Sequence, residues 1–564
     1  MPNTCPHPLP RRTFLGSTGL LLASGAAGMA LGSTALPGAA PRASAGVGGG
    51  RIRRRPNIIV IITDQERRPM YWPEGWGAEN LPHRQRLLDS GLSFNYASCS
   101  TAMCSPSRSS LFTGVYPPQH GVTRTLTAGG ALSPSEPVLS PDTPNMAGLL
   151  ASAGYDVHYR GKWHISKGSG GGDPSSEDLE AFGFHGWVPP EAGQDIKPEN
   201  FGGGDADNDS RYAAEAVDFL GSVSDDPDTP FALVASFANP HDILAYPKSW
   251  DEGGSNYASA APGCFQMGID LPPTFDEVLA SNYKPRAQSQ LNLASQIGLG
   301  PLLSKEEARN YCNLYAYMQQ EVDAHIGAVI DAVEARGLRD DTIIIHIADH
   351  GEMGMSHGGM RQKAFNAYEE TLLVPMVISN PKLFPSGVTT DAMSTLVDLM
   401  PTLATIADVP DDARALYDFK GTDLSPVIDD AVAHPDAPTR EVQDSIHFMF
   451  DDWSIAQPDS QDTVTQPNHL RTIRERGRKF TMYFDPDWVE PPVFEMYDLV
   501  ADPQELKNLA APSAPLQFRA DMFAEMLPRL IQVMAEKGTT PAGMPATLPL
   551  PSGSAGSSGS VGSG

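Results

Sequence analysis

Residues 57–63 (Asn-Ile-Ile-Val-Ile-Ile-Thr) form an unbroken, largely β-branched run that stops at Asp64. Apolar side chains at every position, rather than every second one, predict a strand buried on both faces and central in a parallel sheet. The same shape returns at residues 342–348 (Thr-Ile-Ile-Ile-His-Ile-Ala), again ending at an acid, Asp349. Residues 231–237 predict a third strand running into Asn239-Pro240-His241, residues 156–159 a shorter one running into Gly161-Lys162-Trp163-His164, and residues 374–378 a fifth. Helical periods separate them. Thr143-Pro144-Asn145 opens one that stops at Gly154, another covers 211–220, and a long one over 306–335 is closed by Gly337. This alternation predicts an α/β fold with a mostly parallel central sheet flanked by helices. Ligands in such sheets bind beyond the carboxyl ends of the strands. Four strands deliver polar groups just past that end: Asp64 with Gln65, Lys162 with His164, His241, and Asp349 with His350.

After about residue 440 the pattern changes. Short strands over 446–450, 470–474, 479–484 and 494–499, then a helix over 515–536, predict a smaller C-terminal antiparallel α+β subdomain. The large domain is expected over 56–435 and the subdomain over 436–540, with a disordered Ser/Gly-rich tail over 541–564. At the other end, Arg11-Arg12 precede Phe14-Leu15 and a Gly/Ala-rich apolar run, with Ala43-Ser44-Ala45 beyond it. Residues 1–45 therefore read as a twin-arginine-type signal peptide and 46–55 as a linker, which predicts export of a soluble protein. No later segment is apolar enough to span a bilayer.

Composition narrows the partners. The 564 residues carry 40 Lys+Arg against 68 Asp+Glu, a formal charge of −28, which argues against nucleic-acid binding and polybasic membrane attachment. Five cysteines in so long a chain do not form a disulfide scaffold, and any pairing among Cys99, Cys264 and Cys312 is left open. Asp205-Ala-Asp-Asn-Asp209 imitates the start of a calcium loop but lacks the Gly and Glu that loop needs, so it is expected to cap the helix that follows.

The most informative segment is Cys104-Ser-Pro-Ser-Arg108, leading into Thr113-Gly114. On residue chemistry alone, Cys104 is either a thiol activated by the neighbouring cation or an inert loop cysteine. The Cys-x-Pro-Ser-Arg signature and the wider phrase through Gly121 resemble the active-site block of the type I, formylglycine-dependent sulfatases of the alkaline phosphatase-like superfamily. The phrase departs at Val115, where that family commonly has arginine.

That resemblance implies a function and a set of roles. Cys104 would be oxidised by a formylglycine-generating enzyme to 3-oxoalanine, whose hydrated aldehyde is the nucleophile. Asp64, Gln65, Asp349 and His350, with the residue-104 oxygen, would bind one divalent metal. Calcium is the first choice, and the His350 nitrogen makes manganese the second. Lys162 would hold a sulfate oxygen and His164 would take the proton from the second hydroxyl of the diol. His241, partnered by Lys363, would protonate the leaving alcohol, and Arg108 would add fixed positive charge. The substrate would be a small-molecule or saccharide sulfate ester, with densely sulfated polymers disfavoured by the acidic surface.

Gln65 and His350 are shared with phosphonate monoester hydrolases, so phosphonate monoester or phosphodiester hydrolysis is the alternative; Lys162 with His164 favours sulfate. A degenerate binding protein is the second alternative, and every expected position is filled. Loops over 70–80, 125–140, 166–205 and 242–300 are expected to select the alcohol.

Overall fold

In the computed structural model the first β-branched run becomes β1 (Asn57–Asp64), with all eight residues buried. The structure describes residues 55–126, 136–191 and 208–548, except 225, 227, 251–262 and 456–463. The expected signal peptide, nearly all of the linker, most of the Ser/Gly tail, Asp205 to Asp207 and parts of three of the four specificity loops (125–140, 166–205 and 242–300) lie outside those residues. Of β1, Ile58, Val60 and Ile62 enter one core cluster while Ile59 and Ile61 enter another on the opposite face, which is why the run lacks polar alternation.

The other strands of the large sheet are β2 (Gly91–Ser98), β3 (Asp156–Gly161), β4 (Phe231–Pro240), β5 (Thr342–Ala348), β6 (Met376–Ser379) and β7 (Val388–Thr395). Among the described residues they form one seven-stranded sheet in the order β3-β4-β1-β5-β6-β2-β7. All pairings are parallel except the two made by β6. The four strands expected to carry polar groups at their carboxyl ends are therefore four consecutive neighbours. Helices Asn208–Ser222 and Lys305–Ala335 cover one face through Tyr212, Ala216, Val322 and Ile326. Helices Cys104–Thr113, Met146–Ser152 and Leu399–Ile406 cover the other through Leu111, Leu149 and Leu403.

Helix ends follow their sequence signals. Ser304 and Glu307 form a reciprocal capping box at the start of the long helix, and the Asn145 side chain caps the Met146 helix. Asp209 lies inside the first turn of its helix, and its carboxylate accepts from the backbone N–H groups of Ala238 and Asn239; the position before Asn208, where a cap would sit, lies outside the described residues. β2 and β7 are additions; their Ser-, Thr- and Asn-bearing sequences have no apolar run, and the start of β7 alternates buried and exposed residues.

The C-terminal strands are β8 (Ser445–Phe450), β9 (His469–Glu475), β10 (Arg478–Phe484) and β11 (Val493–Asp498), an antiparallel sheet of order β11-β10-β9-β8, followed by helix Leu516–Lys537. This sheet shares the main core, since Phe448, Phe450, Tyr483 and Tyr497 join the cluster containing Ile58 and Val60. It also grips the segment around Cys104. The Met449 N–H donates to the Ser100 carbonyl at 3.0 Å, and the Tyr116 hydroxyl donates to the His447 carbonyl at 3.2 Å.

Between the two sheets lies a buried polar junction. His357 stacks on Tyr368 with ring centroids 3.7 Å apart and pairs with Glu277 at 2.6 Å; Glu370 lies 3.7 Å away on its other side. Lys284 reaches the Tyr497 hydroxyl at 2.8 Å. Burial alone would lower the His357 pKa, but Glu370 and Glu277 outweigh burial and Lys284 and lift it to about 9. A histidine raised above its unfolded value of 6.5 stabilises the fold fully below that pH and ceases to as pH rises through about 9. Denaturant unfolding should therefore show on the order of 3 kcal/mol lost across this window. The difference between wild type and His357→Gln isolates the contribution; a pH-independent difference would contradict it.

Candidate active site

β1, β5 and helix Cys104–Thr113 meet at the carboxyl edge of the sheet. Cys104 is the first helical residue, so Arg108, four residues on, lies on the same helix face. Both side chains are fully buried between Asp64 at the end of β1 and Asp349 just past β5. The Arg108 Nη2 donates to Asp64 Oδ2 at 3.0 Å and its Nε to Asp349 Oδ2 at 2.9 Å. Nη1 donates to the Lys162 carbonyl at 3.0 Å and to Ser236 Oγ at 2.8 Å. Four of the five Arg108 N–H donors thus hold the two acids and the ends of β3 and β4. Ser107 Oγ adds a 2.5 Å bond to the Asp349 carbonyl.

The cysteine faces the metal-ligand types. Its Sγ donates to Asp64 Oδ1 at 3.5 Å and lies 3.2 Å from His350 Nε2. One donor atom each from Asp64, Cys104, Asp349 and His350 fall within 4.8 Å of one another. His350 Nδ1 is 3.1 Å from the Gly351 carbonyl, and donating its hydrogen there leaves the Nε2 lone pair facing the cluster. Two carboxylates and an imidazole fit a hard divalent cation, and the set becomes more uniform once an oxygen replaces Sγ. The backbone behind this pair is held close: a Cβ on Gly351 would stand 2.1 Å from the Glu370 carbonyl.

Gln65 stands beside this cluster. Its backbone N–H donates to Asp349 Oδ1 at 3.1 Å, while its Oε1 accepts from Lys363 Nζ at 2.5 Å. Glu352 orients the amide by accepting from Gln65 Nε2 at 2.6 Å, and is itself fixed by Tyr311 and by the N–H groups of Gly354 and Gln362.

The β3–β4 side contributes Lys162, His164 and His241. Lys162 Nζ lies 2.7 Å from Asp64 Oδ2. The turn delivering it requires glycine, because Gly161 has φ +102° and a Cβ there would sit 1.8 Å from the Ser236 carbonyl. His164 occupies left-handed backbone, φ 58°, and its Nε2 contacts the Leu126 carbonyl at 3.0 Å. Its Nδ1 and the Nε2 of His241 are buried without hydrogen-bond partners among the described residues.

Burial dominates the electrostatics. It would raise Asp64, but Lys162, with help from His241, Arg108 and His350, holds that carboxyl well below the usual range. Burial and then the Asp64 charge lift Asp349 to about 7, against Arg108. Burial, reinforced by Lys162, keeps His164 and His241 neutral, and burial with Lys363 does the same for His350. Burial and Asp64 push the Cys104 thiol up to about 12 despite Lys363 and Lys162, so this sulfur is not a thiolate at neutral pH.

The Sulfatase family profile matches residues 56–409, the segment that supplies all of these side chains. The chain belongs to the sulfatase family. It is accordingly a sulfuric ester hydrolase with a mixed α/β architecture of the alkaline phosphatase-like superfamily. A second profile, the N-sulphoglucosamine sulphohydrolase C-terminal region, matches residues 357–532 of this sulfatase. An ulvan-active sulfatase of Formosa agariphila is 27% identical over 389 residues, covering 66% of this chain and 65% of that protein. An enzyme solved in complex with its substrate D-glucosamine-2-N,6-O-disulfate superposes with a TM-score of 0.64 at 20% identity, over 86% of this chain and 99% of that one. The phosphonate monoester hydrolase of Agrobacterium radiobacter superposes with a TM-score of 0.61 at 21% identity, over 86% and 96%.

All ten expected site residues converge here. Glu352 and Ser236 were not anticipated. An acid two residues past His350 was a visible signal for Glu352; nothing in the β4 run distinguished Ser236. Cys99, Cys264 and Cys312 are buried and unpaired.

Two outcomes are expected of this site in the sulfatase. Arg108→Ala should cost about 3–5 kcal/mol in denaturant unfolding, because it strands two buried carboxylates. In unconverted protein, Cys104 should resist iodoacetamide at pH 8 until the chain is unfolded, as read by peptide mass; rapid native labelling would contradict its burial and raised pKa.

Proposed function

We propose that this sulfatase cleaves the sulfate monoester of a saccharide or small alcohol, releasing the alcohol and inorganic sulfate, with Cys104 converted to formylglycine. The observation that carries this reading is the place of Cys104: its side chain sits where two acids, an imidazole and the site's cations meet, yet as a thiol it is inert. Conversion to a hydrated aldehyde would put an oxygen nucleophile at that point. Asp64, Gln65, Asp349 and His350 would hold one divalent metal, calcium before manganese, which supplies Lewis-acid polarisation and charge neutralisation when bound.

The chain's own residues then divide the work. Lys162 and Lys363 bind the anionic ester, and Arg108 supports them by fixing the acids. Asp349, beside the residue-104 side chain, is placed to accept a proton from the attacking hydroxyl. His241, neutral in the free protein, takes up a proton beside the bound anionic ester and delivers it to the departing alcohol oxygen. His164, with Nε2 engaged by a carbonyl, offers Nδ1 as the base that takes the proton from the second hydroxyl, so that sulfate is expelled and the aldehyde re-forms. Two hydroxyls on one carbon make this second step possible; a serine has no such group.

A saccharide ester is supported by the relatives named for ulvan and for a sulfated glucosamine. The formal charge of −28 favours sparsely over densely sulfated chains. The phosphonate reading draws on the Agrobacterium likeness, and Lys162 with His164 in the site favours sulfate. The twin-arginine-type leader accords with conversion and folding before export.

The test begins with the tryptic peptide ending at Arg108, from protein produced with a formylglycine-generating enzyme. It should be lighter than the thiol form by about 18 Da, thiol to aldehyde. Converted protein should hydrolyse sulfate esters in preference to phosphonate esters, and Cys104→Ala should lower kcat by about 1,000-fold or more. Chelation should abolish turnover, with calcium restoring it better than manganese. An unmodified thiol under these conditions, or a preference for phosphonates, would overturn the proposal.

A further inference from the structure

The two histidines that would move protons lie just past strand ends, His164 on a loop and His241 at the start of a short 3-10 helix, and such segments alone do not hold a ring to within the few tenths of an ångström that proton transfer needs. What fixes the backbone beside each ring is a carboxylate outside the site. Glu191 Oε1 accepts from the Trp163 N–H at 2.8 Å and its Oε2 from the His164 N–H at 2.9 Å. Asp209 Oδ1 accepts from the Ala238 N–H at 2.6 Å and its Oδ2 from the Asn239 N–H at 2.9 Å, two residues before His241. In both cases the two oxygens of one carboxylate span two successive backbone amides. For His164 the clamp coincides with left-handed φ at a non-glycine residue, a conformation that persists only where surrounding contacts over-determine it.

We propose that Glu191 and Asp209 are positioning residues, one for each proton transfer: Glu191 sets His164 for the release of sulfate, and Asp209 sets His241 for the departure of the alcohol. This rests on the sulfate-ester reading above. The two transfers are distinct in balance. In the first, the sulfur–oxygen bond to the alcohol breaks as the bond to the residue-104 hydroxyl oxygen forms; that hydroxyl gives its proton to Asp349, and the alcohol oxygen takes a proton from protonated His241, which returns to the neutral imidazole. In the second, the remaining hydroxyl gives its proton to His164, its electron pair forms the carbonyl, and the carbon–oxygen bond to sulfate breaks. Water re-hydrates the aldehyde.

Each clamp should therefore fail in its own way. The isosteric variants Glu191→Gln and Asp209→Asn leave one acceptor and turn an NH2 group toward the second amide. With Asp209→Asn, kcat on alkyl sulfates, whose alkoxide needs a proton, should fall by about 10-fold or more, while an aryl sulfate with an acidic phenol changes by less than about 3-fold. With Glu191→Gln, the aryl sulfate should show an unimpaired first-turnover burst of phenol followed by steady-state turnover slowed by about 10-fold or more. Hydrogen exchange supplies the readout independent of activity. Amides 163–164 should lose protection in the Glu191 variant and amides 238–239 in the Asp209 variant, each without the other.

The proposal is overturned if both variants slow both esters and both phases alike, or if the amides lose protection with no selective kinetic effect. It is also overturned if protection is unchanged. Wild-type protein, converted at Cys104, that releases no alcohol from either ester would instead refute the sulfatase reading beneath it.

Discussion

The site depends on one buried cation placed between two buried anions. Asp64 and Asp349 end adjacent strands, and two carboxylates so close in a medium of low polarity would force one to protonate. The Arg108 guanidinium, with its donors in a fixed planar fork, reaches one oxygen of each and makes the pair tolerable. Cys104 precedes Arg108 by one helical turn, so the contact that reconciles the acids also sets where the cysteine falls. The same guanidinium ties down the ends of β3 and β4 through the Lys162 carbonyl and Ser236. One side chain thus puts the four strands into a common frame.

Within that frame the chemistry separates laterally. The ends of β1 and β5 supply the acids and the imidazole grouped around Cys104, while the ends of β3 and β4 supply Lys162, His164 and His241. Neighbouring strands are about 4.8 Å apart. Four adjacent strands therefore spread these groups over about 14 Å. Four of the five Arg108 N–H donors are spent on this frame.

Sequence patterns exposed the parts of this design that are local. β1 and β5 are apolar on both faces and end in acids, so strand, burial and site position could be read from a few residues each. The spacing of Cys104 and Arg108 was legible for the same reason, while their roles came from the resemblance rather than from spacing. Contacts between distant residues left no such trace. Lys363 meets Gln65 across nearly three hundred residues, and Glu191 holds His164 from a stretch without apolar rhythm. An acid at a helix start reads as part of a cap, and only the tertiary fold brings Asp209 to the amides of Ala238 and Asn239 at the carboxyl end of β4. β2 and β7 escaped notice because strands rich in Ser, Thr and Asn carry too weak a hydrophobic signal to separate them from loops.

The grip of β8 on the segment before Cys104 has a consequence in time. The Met449 N–H that bonds the Ser100 carbonyl belongs to a part of the chain made long after Cys104 itself. At synthesis rates of about 5–20 residues per second, the interval is on the order of tens of seconds. Throughout it, the cysteine emerges on a strand of polypeptide whose final cover does not yet exist. In the finished protein that residue has no exposed surface. Any enzyme that must touch it works against a clock set by the distance along the message between residue 104 and the C-terminal sheet.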